Sequence, residues 1–220
     1  FNISYLTNPY MVSASGCTFE YAELDYDFSG DSTVPAGNLV SVELSQDGTK
    51  LYIFSNQASD NNSGYQYTLG TPYDISSASY ASISFPFRPE SQDTRGGAFR
   101  LDNGEIFYKI SDCTGNKKVY QYSLSTGWDM GSMSYASKSL DYNSAGFAST
   151  GKDCFVADSG DKFYCCSNDA VGEFDLGTPY MLDTASYTGN SFSITSQDSA
   201  MRGFYMKSDG LKMWLRGDTN

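Results

Sequence analysis

The sequence predicts an all-β protein made of four copies of one antiparallel, four-stranded unit, and three observations carry the prediction. The first is a repeated segment: YTLGTPYDISSASY from Tyr67 to Tyr80 returns as YSLSTGWDMGSMSY from Tyr122 to Tyr135 and as FDLGTPYMLDTASY from Phe174 to Tyr187. A worn copy, YLTNPYMVSAS, starts at Tyr5. The second is a turn between two apolar runs, also present four times: VSVELSQDGTKLYIF (Val40 to Phe54), AFRLDNGEIFYKI (Ala98 to Ile110), CFVADSGDKFYCC (Cys154 to Cys166) and GFYMKSDGLKMWLR (Gly203 to Arg216). Asp-Gly, Asn-Gly and Ser-Gly between alternating residues signal hairpins, because glycine accepts the positive φ of a tight turn. The third is composition: 18 Tyr and 14 Phe in 220 residues favour strands.

The turn glycines Gly48, Gly104, Gly160 and Gly210 are spaced by 56, 56 and 50 residues. Between the two markers lie strands of alternating character, SISFPF (Ser82 to Phe87) and SFSITS (Ser191 to Ser196). Ser91-Gln92-Asp93 and Ser196-Gln197-Asp198 accompany them, and Arg95-Gly96 and Arg202-Gly203 lead into the next hairpins. Pro86 suits a strand end or an edge. Each unit then reads as a Ser-rich strand, a glycine-turn hairpin and a strand ending in Tyr-x-Leu, with the TPYD-type segment crossing to the next unit. Four antiparallel strands in roughly 50 residues is the pattern of a β-propeller blade. The blades expected are 7–69, 70–124, 125–176, and 177–220 completed by residues 1–6. Phe1 to Leu6, FNISYL, matches GYQYTL (Gly64 to Leu69) and VYQYSL (Val119 to Leu124), so an N-terminal strand is expected to close the last blade of a single four-bladed domain. The same strand completing a neighbouring chain would give a head-to-tail fibre. A β-sandwich of eight hairpins is the alternative architecture.

These residues resemble the β-propeller-like repeats of bacteriophage tail and virion-surface proteins, of the type YxLSTPWDISTASY, then SSQDT, then DGTKMYV. The resemblance spans nearly the whole chain. It implies a structural and adhesion module on a virion or extracellular appendage, non-enzymatic, presenting loops to host or partner. The first and third repeats depart from the pattern: both lack the Ser-Gln-Asp marker, and the first carries an acidic stretch from Glu20 to Asp31. The variable loops Ser55 to Gly64 and Ser111 to Lys118 are the surfaces expected to face partners. A secreted glycan-binding lectin and a strand-exchanging fibre subunit are the other readings.

The net charge of −12 argues against a nucleic-acid partner, since an acidic surface repels phosphate. No stretch approaches the roughly 20 apolar residues of a membrane-spanning helix, so membrane insertion is not expected. Histidine is absent, which removes the commonest general base and transition-metal ligand. No catalytic constellation or cofactor motif is visible, and the chain is expected not to be an enzyme. Other virion or appendage proteins, glycans and a second copy of the chain are the partners considered.

Single residues carry more modest expectations. Tyr10, Tyr73, Trp128 and Tyr180 hold one place in each repeat and are expected to pack between blades rather than to stack on sugars. Asp74 and Asp129 follow two of them and suit turn caps, while Met11 and Met181 replace them elsewhere. Of five cysteines, Cys154 and Cys165 flank a two-residue turn, which sets them opposite one another and within disulfide reach. Asn2 and Asn61 stand in glycosylation sequons, and Arg216-Gly217-Asp218 reads as a turn.

Overall fold

The structure, a computed structural model, describes residues 39–56, 62–87, 90, 93–113, 116–147, 150–196, 198, 200–207 and 210–217. The first sheet comprises β1 (Leu39–Leu44), β2 (Lys50–Ser55), β3 (Ser63–Leu69) and β4 (Ala78–Pro86), in that order. The second repeats it with β5 (Thr94–Phe99), β6 (Ile106–Cys113), β7 (Asn116–Leu124) and β8 (Met133–Asp141). The third holds β9 (Gly151–Val156), β10 (Lys162–Ser167), β11 (Ala170–Leu176) and β12 (Ala185–Ser193). The fourth is the hairpin β13 (Met201–Met206) and β14 (Met213–Gly217). Neighbouring strands run antiparallel throughout. The first strands β1, β5, β9 and β13 pack one against the next, so the sheets stand around an axis as blades. The architecture is therefore all-β and propeller-like with four blades, of which the fourth shows two strands, and among the described residues the sheets are not closed into a ring. Residues 1–6, expected to close the last blade, lie outside the described residues, as do Tyr10, Met11, Cys17, Asn2 and Asn61.

The blade boundaries differ from the expected ones. The Ser-rich strand pairs with the Tyr-x-Leu strand before it, Tyr67 facing Tyr80 and Tyr122 facing Tyr135, so the TPYD-type segment joins two strands of one sheet. The sheets span 39–86, 94–141 and 151–193 instead of 70–124 and 125–176. The physical reason lies in the segment itself: it folds into a turn closed by one 3-10 helix, as at Ile75–Ser77, and so returns the chain antiparallel beside its origin. The connections to the next sheet are the stretches after β4, β8 and β12.

That turn is held by its aromatic residue. Tyr73, Trp128 and Tyr180 have φ of 64°, 62° and 63°. Their backbone N–H groups donate to the carbonyls of Gly48, Gly104 and Gly160 at 2.9, 3.1 and 2.8 Å. Each ring lies flat on that glycine, so that a Cβ there would come within 2.5, 2.3 and 2.5 Å of ring carbons. The expected packing thus takes place first within a blade, over its own hairpin turn. The carbonyls of two of these residues then join blades: Tyr52 Oη donates to Trp128 O at 2.5 Å, and Tyr108 Oη to Tyr180 O at 2.8 Å. Asp74 and Asp129 cap the 3-10 turns as expected, accepting from Ser76 N and Gly131 N at 3.0 Å each. A third joint recurs one strand further out, where Gln66 and Gln121 accept from Met130 N and Leu182 N of the following blade, at 2.8 and 2.9 Å.

Aromatic residues fill the space between blades. Tyr52, Phe54, Phe87, Phe99, Phe107 and Tyr122 form one cluster between the first two sheets. Cys154 does lie opposite Cys165, as the turn predicts, but no disulfide joins them. Both thiols are buried in the apolar core between the second and third sheets, and Cys154 Sγ donates to Tyr108 O at 3.8 Å. Facing the neighbouring blade rather than each other, they remain free thiols.

The glycine clamp can be tested by contrast. Gly104→Ala adds a methyl group against the Trp128 ring at a positive φ, whereas Gly210 has a φ of 71° and, among the described residues, nothing within 4 Å of its Cβ position. Left-handed backbone alone costs a non-glycine residue about 1–2 kcal/mol, and overpacking adds about 1–3 kcal/mol. In urea melts Gly104→Ala is expected to lose about 2 kcal/mol more than Gly210→Ala; equal losses would remove the clamp from this account.

Candidate functional site: a cationic mouth at the axis

The inner strands begin at equivalent positions with Arg95, Lys152 and Arg202, and in the first blade with Val40; the hairpin registers align them. Because the blades surround an axis, residues repeated at the start of inner strands converge at its mouth. Their proximity shows in their mutual electrostatics. Desolvation lowers the Lys152 pKa, and Arg95 and Arg202 lower it further against the pull of Asp112. Arg95 Nη2 pairs with Asp93 Oδ2 at 3.0 Å and with Asp112 Oδ2 at 3.8 Å. Asn56 Nδ2 donates to Asp93 Oδ1, tying the first blade to the second. Arg95 Nε is buried and has no acceptor. Arg95, Lys152 and Arg202 thus stand together with Asp93 and Asp112 on a chain of net charge −12. Burial raises the Asp112 pKa although Arg95 and Lys152 oppose this.

The described parts of both segments expected to face partners include residues at this end: Asn56 in the first, and Asp112 and Lys117 in the second, where they lie opposite one another on β6 and β7, so that much of the expected loop Ser111 to Lys118 is strand. The residues that make the mouth charged were not among the expected site residues. Their signal was present: the Arg-Gly lead-in at residues 95–96 and 202–203, aligned on the turn glycines, sets Lys152 at the same place.

Deeper on the axis lies Asp153, buried on β9. Its carboxylate accepts from Cys154 N at 2.9 Å and Phe204 N at 3.2 Å, and from the backbone of Gly97, so one side chain links the second, third and fourth blades. Gly96 permits this: a Cβ there would stand 2.1 Å from Asp153 Oδ1. Burial pushes the Asp153 pKa up to about 7 despite those three donors. Glu43 on β1 is raised well above the carboxylate range, by burial first and by Asp153 second. Lys109 on β6 is a buried amine. It occupies the place of Ile53 and Cys165 in the other blades, its Nζ has no hydrogen-bond partner, and the amine lies 5.1 Å from the Phe87 ring centroid. Burial brings its pKa down to about 7, against the attraction of Asp93 and Glu90. Among the described residues no group of three His, Cys, Asp or Glu side chains is placed to hold a metal ion.

No protein-family model and no curated protein matches the chain. Solved structures do. A 6-phosphogluconolactonase candidate from Bacteroides fragilis superposes with a TM-score of 0.53 at 17% identity, over 80% of this chain and 47% of that one. The periplasmic gluconolactonase PpgL of Pseudomonas aeruginosa gives a TM-score of 0.53 at 18% identity, over 80% and 46%. A 6-phosphogluconolactonase candidate from Bacteroides uniformis gives 0.50 at 9%, over 80% and 63%. This chain thus spans about half the length of the first of these. At such identities the likeness establishes the fold. It also corrects the expectation of no enzyme: structures named as gluconolactonases share this fold, so a missing histidine and the lack of a visible catalytic constellation exclude no catalysis here.

Two buried charges set opposite pH dependences. Between pH 3.8 and about 7 the folded protein keeps the Asp153 proton that the unfolded chain has lost, so this group's contribution falls as pH rises through that window. The full effect is on the order of 4 kcal/mol, and Asp153→Asn is expected to abolish that fall in chemical-denaturation curves measured from pH 4 to 8. Lys109 acts the other way: between about pH 7 and 10.5 the unfolded chain holds the proton the folded one lacks, so stability rises with pH. Lys109→Met is expected to stabilise at pH 7 by on the order of 3 kcal/mol and to flatten the alkaline rise; a destabilised variant would mean the amine has a partner.

Proposed function

We propose that this propeller is a recognition module whose mouth takes an anionic sugar, carboxylated or phosphorylated. The observation that carries the reading is the convergence of Arg95, Lys152 and Arg202 on one acidic protein's axis, with Arg95 Nε buried and without an acceptor. Guanidinium groups suit carboxylate and phosphate oxygens because their planar donors match two oxygens at once. Asn56 and Asp112, from the two segments expected to face partners, sit at the same mouth, which supports display toward a second molecule. The fold neighbours named for gluconolactone and its 6-phosphate support a polyhydroxy acid as the class. The likeness of the repeats to those of phage virion-surface proteins supports a place on a virion or other extracellular surface, where such a module would bind acidic glycans or neighbouring appendage proteins.

Calorimetric titration with 6-phosphogluconate, gluconate and glucose tests the proposal. Binding of one or both acids is expected, weakening with salt, and absent for neutral glucose. The variant carrying Arg95→Gln, Lys152→Gln and Arg202→Gln is expected to bind at least about 10-fold more weakly, a loss of about 1.4 kcal/mol. Failure of both acids to bind up to about 10 mM, a level that would miss only affinities weaker than roughly −3 kcal/mol, overturns it.

A further inference from the structure

The lysine at the mouth stands in the middle of its cluster. In blade order the basic residues are Arg95, Lys152 and Arg202, so Lys152 has a guanidinium-bearing strand on either side. The packing of the inner strands fixes this. A Cβ on Gly96 would stand 2.9 Å from Lys152 O, which sets the residue after Arg95 against the Lys152 backbone. On the other side Phe204 N donates to Asp153 at 3.2 Å, which joins the residue after Lys152 to the strand of Arg202. Asp112 comes to the same place, 3.8 Å from Arg95 Nη2, and attracts Lys152 in turn. Lys152 is half-buried, so its amine is sheltered yet within reach of a dissolved molecule.

Such surroundings change what an amine can do. A lysine ordinarily keeps its proton and is then no nucleophile. Burial first, then Arg95 and Arg202, shift Lys152 toward the free amine, while Asp112 and Asp93 pull the other way. Lys162 on the same blade has the opposite setting: hydrogen bonds to Asp175 and Glu173 raise its pKa, so it stays a cation. Lys109 is held toward the free amine too, but it is 0% exposed and out of reach of solutes. Lys152 combines a disfavoured charge, an open side and guanidinium groups alongside.

We propose that Lys152 is a nucleophile that captures the carbonyl group of a 2-oxo acid as an imine, with Arg95 and Arg202 holding the carboxylate and Asp112 passing the proton. The inference rests on the anionic ligand proposed for the mouth, and narrows its class to acids with a carbonyl group beside the carboxylate. A carboxylate held by the flanking guanidinium groups brings the adjacent carbon to the amine between them. Lys152 first gives one proton to Asp112. The nitrogen lone pair then bonds to the carbonyl carbon as the C=O π bond breaks, and a proton moves from nitrogen to the oxygen. Asp112 returns its proton, the C–O bond breaks and water leaves, with a protonated imine on Lys152. One ammonium and one carbonyl group thus become one iminium and one water, and no oxidant or reductant is consumed.

Borohydride trapping tests this, because hydride turns the imine into a stable secondary amine that a bound but unreacted acid does not give. The full chain is incubated with pyruvate or 2-oxogluconate, reduced with sodium borohydride, digested and mapped by mass spectrometry. One reduced adduct is expected on Lys152, formed at least about 10-fold faster than on any other lysine and at least about 10-fold faster than with neutral acetone. Lys152→Arg is expected to lose that adduct although it keeps the positive charge. An adduct absent from Lys152, spread evenly over the lysines, or equal with acetone overturns the proposal. Calorimetric titration of the unmodified chain with the same two acids, without borohydride, separates the two readings. Binding without an adduct overturns the imine alone; absence of both binding and adduct overturns the imine and counts against an anion at the mouth as well.

Discussion

Each blade hangs on the contact between one aromatic ring and one turn glycine. The hairpin turn requires a positive φ, and glycine supplies it without a side chain in the way. The bare glycine then becomes a flat platform for the ring of Tyr73, Trp128 or Tyr180. Seating the ring forces its own backbone into the left-handed region, which costs a bulky residue about 1–2 kcal/mol. The N–H bond to the glycine carbonyl and the buried ring face offset that cost. The strained peptide also turns a carbonyl outward, toward the tyrosine of the preceding blade. One local constraint thus fixes the hairpin, the return of the outer strand and the docking of the next blade.

Such a scaffold tolerates buried charge where the blades meet. Asp153 spends its lone pairs on backbone donors of three inner strands, so its burial is compensated by hydrogen bonds that hold those strands together. Lys109 has no such compensation, and its place in the other blades belongs to Ile53 and Cys165. The two residues therefore differ in kind: one is part of the frame, and the other is a cost that the aromatic cluster around Phe87 and Phe107 absorbs.

Much of this fold was legible because its signals are local. The turn glycines, the alternation in the hairpins, the Asp74 and Asp129 caps and the facing of Cys154 and Cys165 all follow from spacing within about a dozen residues. The blade boundaries were not, because a Ser-rich strand reads the same whether it pairs with the strand before it or after it; the left-handed Tyr73 decides, and no residue type announces that conformation in a tyrosine. The thiols stayed free because facing positions fix only backbone proximity, while the side chains follow the apolar core between sheets. The mouth was legible only in part. Arg95 and Arg202 stood out as a lead-in to the hairpins, but their meaning as charges depends on the ring that brings them together.

A propeller converts repetition in sequence into convergence in space. A basic residue used once at the start of an inner strand is a solvated surface charge; used in three blades, it becomes a cluster in which burial first, and Arg95 and Arg202 after it, lower the Lys152 pKa. Asp93 and Asp112 pair with Arg95 in the same cluster. Framework needs alone do not call for it, since Val40 begins the inner strand of the first blade equally well. Under the proposed function, an anion at the mouth would be attracted by Arg95, Lys152 and Arg202 together.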